Sequence, residues 1–155
     1  MENKIGLKED YAVKMAEKMN SYLSNVQVVY MNVRGYHWNV VGKQFFGLHE
    51  QFEEVYNELN DMADEIAERI LMLGGVPLHS FSDYLKSKTI EEKLNVSTAD
   101  ETVKAFLDDI SQLLNNEREI LSLASENDDE GTASLISDYI AKQEKHLWMF
   151  GALLK

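Results

Sequence analysis

Apolar residues recur at helical spacing in four long stretches of the chain. From about residue 7 to His37 they fall three or four positions apart, which predicts a first long amphipathic helix. The same spacing from about Leu48 to Leu73 predicts a second helix, and Gly74-Gly75 with Pro77 beyond is a typical helix stop. These two helices are long enough to form half of a bundle.

The second half of the pattern starts after a long, weakly periodic stretch, residues 76–96. Within it, the segment SFSDYLKSK (80–88) favours a short helix. Thr98 and Glu101 match a capping box that starts the third long helix, and a fourth runs from about Thr132 to Leu154 after an acidic stop. A crossover of this length is typical of ferritin-like bundles. We therefore expect an all-α, ferritin-like four-helix bundle, with a short helix in the crossover between helices 2 and 3.

Length, charge and cysteine content narrow the class of protein. The 155 residues predict one domain, 1–155, with a short N-terminal tail, 1–7. No apolar run approaches the roughly 20 residues of a membrane span, and the first residues lack the apolar core of a signal peptide, so we expect a cytoplasmic protein. The absence of cysteine excludes disulfides and thiolate sites. A net charge of −12 favours cations over nucleic acid as partners, although acidity also simply keeps proteins soluble.

The second helix carries a polar face opposite its apolar face. His49, Glu53, Asp64 and Glu68 share that face and form two pairs, each with i,i+4 spacing. At about 1.5 Å per residue the pairs stand roughly 17 to 28 Å apart, too far for one metal site. If both pairs serve one site, the missing half comes from a second, antiparallel copy of the helix in a twofold dimer.

His37 ends the first helix, and the connection to His49 is long enough to bring the two imidazoles together but does not require it. Imidazole and carboxylate donors suit iron, manganese or zinc. Trp38 and the pair Phe45-Phe46 are candidates for an apolar wall around the site. The competing interpretation is a solvated helix face without a ligand.

A second pattern is missing from the sequence. Bundles with a di-iron centre inside one subunit carry Glu-x-x-His on two helices. Arg34, Phe46, Val76 and Gln143 occupy the position three before each histidine. The sequence therefore argues against a di-iron core within one chain.

Several ordered motifs resemble those of the Dps family, the mini-ferritins. The resemblance covers the whole chain, and its first motif, the ordered matches from His37 to His49, is specific. The motifs are His37-Trp38, Gly42 and Phe45-Phe46-x-Leu48-His49, then Asp64-x-x-Ala67-Glu68-Arg69, Gly74-Gly75-x-Pro77 and Lys145-His146-x-Trp148-Met149-Phe150.

The resemblance implies a ferroxidase, an oxidoreductase acting on metal ions in iron storage and the oxidative stress response. It implies a hollow homododecamer that oxidises Fe(II) with hydrogen peroxide, or more slowly with dioxygen, and stores ferric mineral inside. It implies sites between twofold-related subunits, with His37, His49 and Glu53 from one chain and Asp64 and Glu68 from the other. Some members carry aspartate at the position of Glu53.

The resemblance also implies roles for Trp38 and for the acidic segment before helix 4. Trp38 would quench stray oxidising equivalents; the alternative is interface packing. Glu126, Asp128, Asp129 and Glu130, with Asp138, fall where the family has a threefold pore for cations, and a solvated loop is the competing interpretation.

DNA binding is not expected. Only Lys4 and Lys8 precede the first helix, and neighbouring acids offset them. The remaining alternative function is a noncatalytic oligomer that acts in the nucleoid or in protein interactions.

Overall fold

Four long helices and one short helix make up the computed structural model, which describes residues 4–155. The helices are α1 (Glu9–Asn39), α2 (Phe45–Met72), α3 (Phe81–Ser87), α4 (Ala99–Ser125) and α5 (Glu130–Gly151), followed by one 3-10 turn (Ala152–Leu154). The predicted all-α fold, with a short helix in the crossover, is confirmed. Residues 1–3 of the predicted tail lie outside the described residues.

The long helices pack as two hairpins. α1 packs along α2 and α4 along α5, and α1 also contacts α4. Short connections, residues 40–44 and 126–129, make the helices of each hairpin antiparallel. The capping box at Thr98 and Glu101 is present at the start of α4, as predicted.

The crossover runs the length of the bundle. Its final residues lie beside the first hairpin connection, where the Val41 amide donates to the Ser97 carbonyl at 2.9 Å. The crossover starts at the opposite end, where α2 ends. This is the connection that the weak periodicity of residues 76–96 predicts.

Three asparagines on α1 hold the crossover in place. Asn20 accepts from the amide of residue 78 at 2.8 Å, Asn25 from those of 89 and 90 at 2.8 and 3.1 Å, and Asn32 from that of 93 at 2.9 Å. These side chains satisfy backbone groups that an irregular segment cannot pair within itself. The sequence analysis did not identify this role.

The apolar face predicted for the second helix is buried as expected. It comprises Phe52, Val55, Leu59, Met62, Ile66, Ile70 and Leu73. The predicted start of this helix at Leu48 is wrong, because α2 begins at Phe45. Gly42 adopts φ +109° and completes the turn within residues 40–44, so Phe45, Phe46 and Gly47 already belong to the helix.

Within residues 4–155, none of the helices combines the length and the apolar character that crossing a bilayer requires.

Candidate metal centre

Two histidines face each other where α1 ends and α2 begins. The imidazole rings of His37 and His49 stack with centroids 3.8 Å apart and planes 17° apart. His37 is buried and His49 is half-buried. The hairpin connection thus does bring together the two imidazoles that the sequence analysis singled out.

Each histidine is oriented by the backbone of the other. Nδ1 of His37 lies 2.6 Å from the carbonyl oxygen of His49, and Nδ1 of His49 lies 2.8 Å from that of His37. Because a carbonyl only accepts, both Nδ1 atoms carry the proton and donate. The lone pair of each neutral ring is therefore on Nε2, the tautomer that binds a metal.

Glu53 completes a group of three potential ligands. One ligand atom from each of His37, His49 and Glu53 falls within 4.8 Å of the others, and Glu53 is exposed. Metal bonds of about 2.0–2.2 Å place two ligands of one ion up to roughly 4.4 Å apart, so a small side-chain adjustment closes the group. No other such group of three occurs within residues 4–155.

Aromatic rings flank the two imidazoles on both sides. Phe45 stacks on His49 at 5.0 Å, and the edge of Tyr56 meets His37 at 5.3 Å. Phe45 therefore lies where the predicted apolar wall requires it, whereas Phe46 and Trp38 are exposed in the single chain. Tyr56 was missed, although its i,i+7 spacing from His49 places it near the same side of α2.

Asp64 and Glu68 lie farther along α2 and are both exposed. Neither belongs to the three-ligand group. Asp64 instead lines a separate cavity with Asp61 and His79, beside the start of the crossover. Within one chain the two pairs of candidate ligands do not meet, as their spacing on one helix dictates.

Asp129 differs from the other acids with which the sequence analysis grouped it as a candidate for the cation pore. It is buried, caps α5 through the Thr132 amide at 2.9 Å, and pairs with Arg69 at 2.6 Å. Burial would raise the pKa of Asp129, but bonds from Thr132 and Tyr11 and the charge of Arg69 outweigh burial and lower it. Asp129 is therefore a structural acid, whereas Glu126, Asp128, Glu130 and Asp138 are exposed.

Two further acids lie fully buried inside the bundle. Tyr36 donates to Asp109 and Tyr22 to Glu117, both at 2.7 Å. Burial raises the pKa of Asp109 to about 6 and that of Glu117 to about 7. One carboxylate oxygen of each acid has no partner. The sequence analysis gave neither acid a role.

Comparison with known proteins agrees with this architecture. The family model of the ferritin-like domain matches residues 16–155. A Dps protein from Vibrio cholerae, whose crystal structure describes it as a member of the ferritin-like diiron-carboxylate superfamily, superposes with a TM-score of 0.96. It is 50% identical, and the match covers 99% of this chain and 96% of that one.

Two further relatives narrow the class. The DNA protection during starvation protein of Porphyromonas gingivalis is 41% identical over 95% of this chain and 92% of its own length. The crystal structure of a Dps protein from Bacillus brevis superposes with a TM-score of 0.91 at 35% identity, covering 96% of this chain and all of that one. The fold places the chain among ferritin-like proteins. Within that class it belongs to the Dps family, the mini-ferritins.

Proposed function

We propose that the protein is a ferroxidase that stores iron in a hollow homododecamer and so protects against oxidative stress. One observation carries the proposal: His37, His49 and Glu53 form a preorganised half-site at one end of α2. Asp64 and Glu68 lie exposed on the same polar face about 17 to 28 Å away. An antiparallel partner helix crossing near the middle of α2 brings each acid pair to the other chain's imidazoles, giving two sites per dimer.

The histidines and the carboxylates would have different roles at such a site. The Nε2 atoms of His37 and His49 are free to bind Fe(II), the substrate, since the opposing carbonyls hold their Nδ1 protons. The carboxylates of Glu53, Asp64 and Glu68 supply negative charge that favours Fe(III) over Fe(II). Zinc or manganese also suits this donor set.

Two irons in one site would balance the reaction with peroxide. Each Fe(II) gives one electron, so two Fe(II), one hydrogen peroxide and two protons yield two Fe(III) and two waters. A single Fe(II) would instead release a hydroxyl radical. Pairing the half-sites of two chains is the means by which the protein avoids that radical.

Exposed apolar side chains support assembly of several copies. Phe46, Phe81, Leu94, Trp148 and Val76 are each at least 70% exposed in the single chain. Large apolar side chains that stay exposed in a single chain are candidates for burial between copies. The exposed acids Glu126, Asp128, Glu130 and Asp138 are candidates for the cation pore at a threefold axis. Ser134 stands where the family resemblance places one pore acid, which leaves Glu130 and Asp138 as the first positions to change.

Subunit mixing tests whether the site is shared. One variant carries His37→Ala with His49→Ala, and the other carries Asp64→Ala with Glu68→Ala. Each alone should lose the rapid ferric absorbance that follows anaerobic Fe(II) loading and addition of peroxide. Refolding them together in equal amounts should restore about a quarter of the wild-type sites, because half the dimers are mixed and each mixed dimer has one intact site.

Two controls decide the outcome of the mixing experiment. Mixing the variants after separate assembly should restore nothing, and Glu54→Ala, which removes an exposed acid next to Glu53, should keep the wild-type rate. Absence of recovery after joint refolding would disprove the shared site. Full activity of the histidine variant would disprove the assignment of its residues.

A further inference from the structure

His79 carries a third imidazole close to the candidate ligands of α2. It lies where the crossover begins, and it lines one cavity together with Asp61 and Asp64 of α2. The family resemblance implies Asp64 as a ligand but assigns no role to His79. His79 therefore brings a nitrogen donor to the acidic half of the candidate site, which otherwise consists of carboxylates.

The backbone fixes which nitrogen of His79 can bind a ligand. Nδ1 of His79 lies 2.9 Å from the carbonyl oxygen of Pro77. Because a carbonyl only accepts, Nδ1 carries the proton and donates. The lone pair of the neutral ring is therefore on Nε2, the same tautomer as in His37 and His49. Hydrogen bonds to backbone carbonyls thus prepare all three imidazoles for a metal.

Hydrogen bonds within the chain hold the backbone next to His79. The Asn20 side chain donates to the Val76 carbonyl at 3.0 Å and accepts from the Leu78 amide at 2.8 Å. The Tyr84 hydroxyl donates to the Leu78 carbonyl at 2.7 Å. Since these bonds lie within one chain, they do not depend on whether a second copy covers this surface. The start of the crossover therefore carries His79 on a fixed backbone.

The titratable groups that line this cavity share one chemical property. The carboxylates of Asp61 and Asp64 and the Nε2 atom of neutral His79 offer lone pairs and no proton. Such groups come together most favourably around a cation. Imidazole together with carboxylate is a donor set that suits iron, zinc or manganese.

We propose that His79 is a further metal ligand at the shared site, supplied by the chain that supplies Asp64 and Glu68. This rests on the proposed function, because the antiparallel arrangement that takes Asp64 to the imidazoles of the other chain takes the neighbouring His79 with it. Each site then holds three imidazoles, two from one chain and one from the other. Because imidazole suits iron and zinc whereas magnesium prefers oxygen ligands, His79 favours Fe(II) over magnesium at this site.

Zinc binding to the assembled, iron-free protein tests His79 as a ligand. Loss of even a supporting residue of a metal site costs about 10- to 100-fold in affinity, so His79→Ala should weaken zinc binding at least about tenfold. Competition with a chelator measures this change. Glu54→Ala, which removes an exposed acid outside the proposed ligand set, should keep the wild-type affinity.

Cobalt(II) gives a readout that does not depend on iron oxidation. The visible absorption of bound cobalt depends on the identity and geometry of its ligands, so loss of one nitrogen donor in His79→Ala should shift the band. If the alanine variant does not assemble, His79→Gln keeps a polar side chain without the imidazole. The same zinc and cobalt measurements then decide.

Subunit mixing shows which chain supplies His79. In the mixed dimer described above, the one intact site takes its acids from the chain that carries His37→Ala with His49→Ala. It takes its imidazoles from the chain that carries Asp64→Ala with Glu68→Ala. His79→Ala should therefore weaken zinc binding and slow ferric absorbance at the intact site only when it is added to the chain that keeps its acids.

Three outcomes would overturn the inference. Unchanged zinc affinity and cobalt absorption in His79→Ala, with mixing still restoring activity, would remove His79 as a ligand and keep the proposed function. An equal loss from either chain would show that His79 acts on folding rather than at the metal. If the wild type shows neither zinc binding nor ferric absorbance, the proposed function itself fails, and this inference fails with it.

Discussion

Three buried carboxylates differ in what they contribute to stability. Asp129 is bonded to Arg69, Thr132 and Tyr11, so its charge is compensated in the folded protein. Asp109 and Glu117 accept hydrogen bonds mainly from tyrosine hydroxyls, and one carboxylate oxygen of each has no partner. Compensated and uncompensated acids respond in opposite directions to pH.

Glu117 should make the protein less stable as pH rises. Burial raises its pKa from 4.5 to about 7, so the folded state favours the protonated acid. Its contribution is fully present below about pH 4.5 and is lost as pH rises through about 7, a change of about 3 kcal/mol. Glu117→Gln should remove this part of the pH dependence, which chemical denaturation at pH 5 and pH 7.5 would measure.

Asp109 provides the control for Glu117. Asp109→Asn should flatten only the lower part of the same range, since burial raises the pKa of Asp109 to about 6. A Glu117→Gln protein that loses as much stability as wild type between the two pH values would contradict the assignment.

The ion pair between Arg69 and Asp129 should be costly to break. Asp129→Asn leaves the largely buried Arg69 guanidinium without its countercharge, and we expect a loss of about 3 kcal/mol in the free energy of unfolding. Asp128→Asn is the matched control, because Asp128 is exposed and its φ of +57° suits asparagine. Equal losses in the free energy of unfolding for the two substitutions would show that the buried ion pair contributes no more to stability than the exposed acid does.

At the level of helices, the crossover depends on side chains of α1 rather than on its own structure. Asn25 accepts two crossover amides and donates to Thr89 and Asn116. The crossover thereby contacts α1 over most of its length. Side chains on the surface of α1 therefore hold the crossover in its ordered conformation.

Asn25→Ala should loosen the crossover locally. Amides of Thr89 and Ile90 lose their acceptor, so their hydrogen exchange should accelerate at least about tenfold while the core of α1 stays protected. Asn39→Ala is the control, since the Asn39 side chain donates to the Gly35 carbonyl of its own helix rather than to the crossover. Unchanged exchange at residues 89 and 90 would show that α3 and the rest of the crossover order themselves.

The same level shows what the sequence could and could not predict. The buried face of α2 and the capping box follow from local spacing, which the sequence displays directly. The start of α2 at Phe45 depends on a glycine turn and on stacking against His49. Asp129 looked like a solvated acid because its partner, Arg69, is 60 residues away in the chain.

The candidate site likewise has features that the sequence predicted and features that only the structure shows. The spacing of His49, Glu53, Asp64 and Glu68 predicted two separated pairs, and the structure separates them. The mutual bonds of His37 and His49 depend on the tertiary contact of two helix ends, which sequence length permits but does not specify. The guanidinium carbon of Arg34 lies 4.6 Å from the centre of the Trp38 ring. This contact depends on the orientation of both side chains, and the sequence analysis missed it.

For the whole molecule, charge limits the partners. The chain carries a net charge of −12, and twelve copies would repel a polyanion strongly. Several relatives carry names that refer to DNA protection. In this protein we expect protection to come from iron chemistry rather than from coating DNA.

A gel-shift titration tests this expectation. The assembled protein should cause no shift of duplex DNA at physiological salt, whereas a variant with a lysine-rich N-terminal extension should shift it with steep salt dependence. The extension variant is the positive control for the assay. A shift by the unmodified protein that weakens as salt is added would contradict the expectation.

The distance between the two ligand pairs on α2 has a consequence for newly made protein. If the site is shared as proposed, a newly synthesised monomer would hold only half of a reaction centre and would be inert toward iron until it binds a second subunit. Ferric precipitate would then form only where a shell is being closed around it. Synthesis rate and subunit encounter, rather than iron supply alone, would set when mineral first appears.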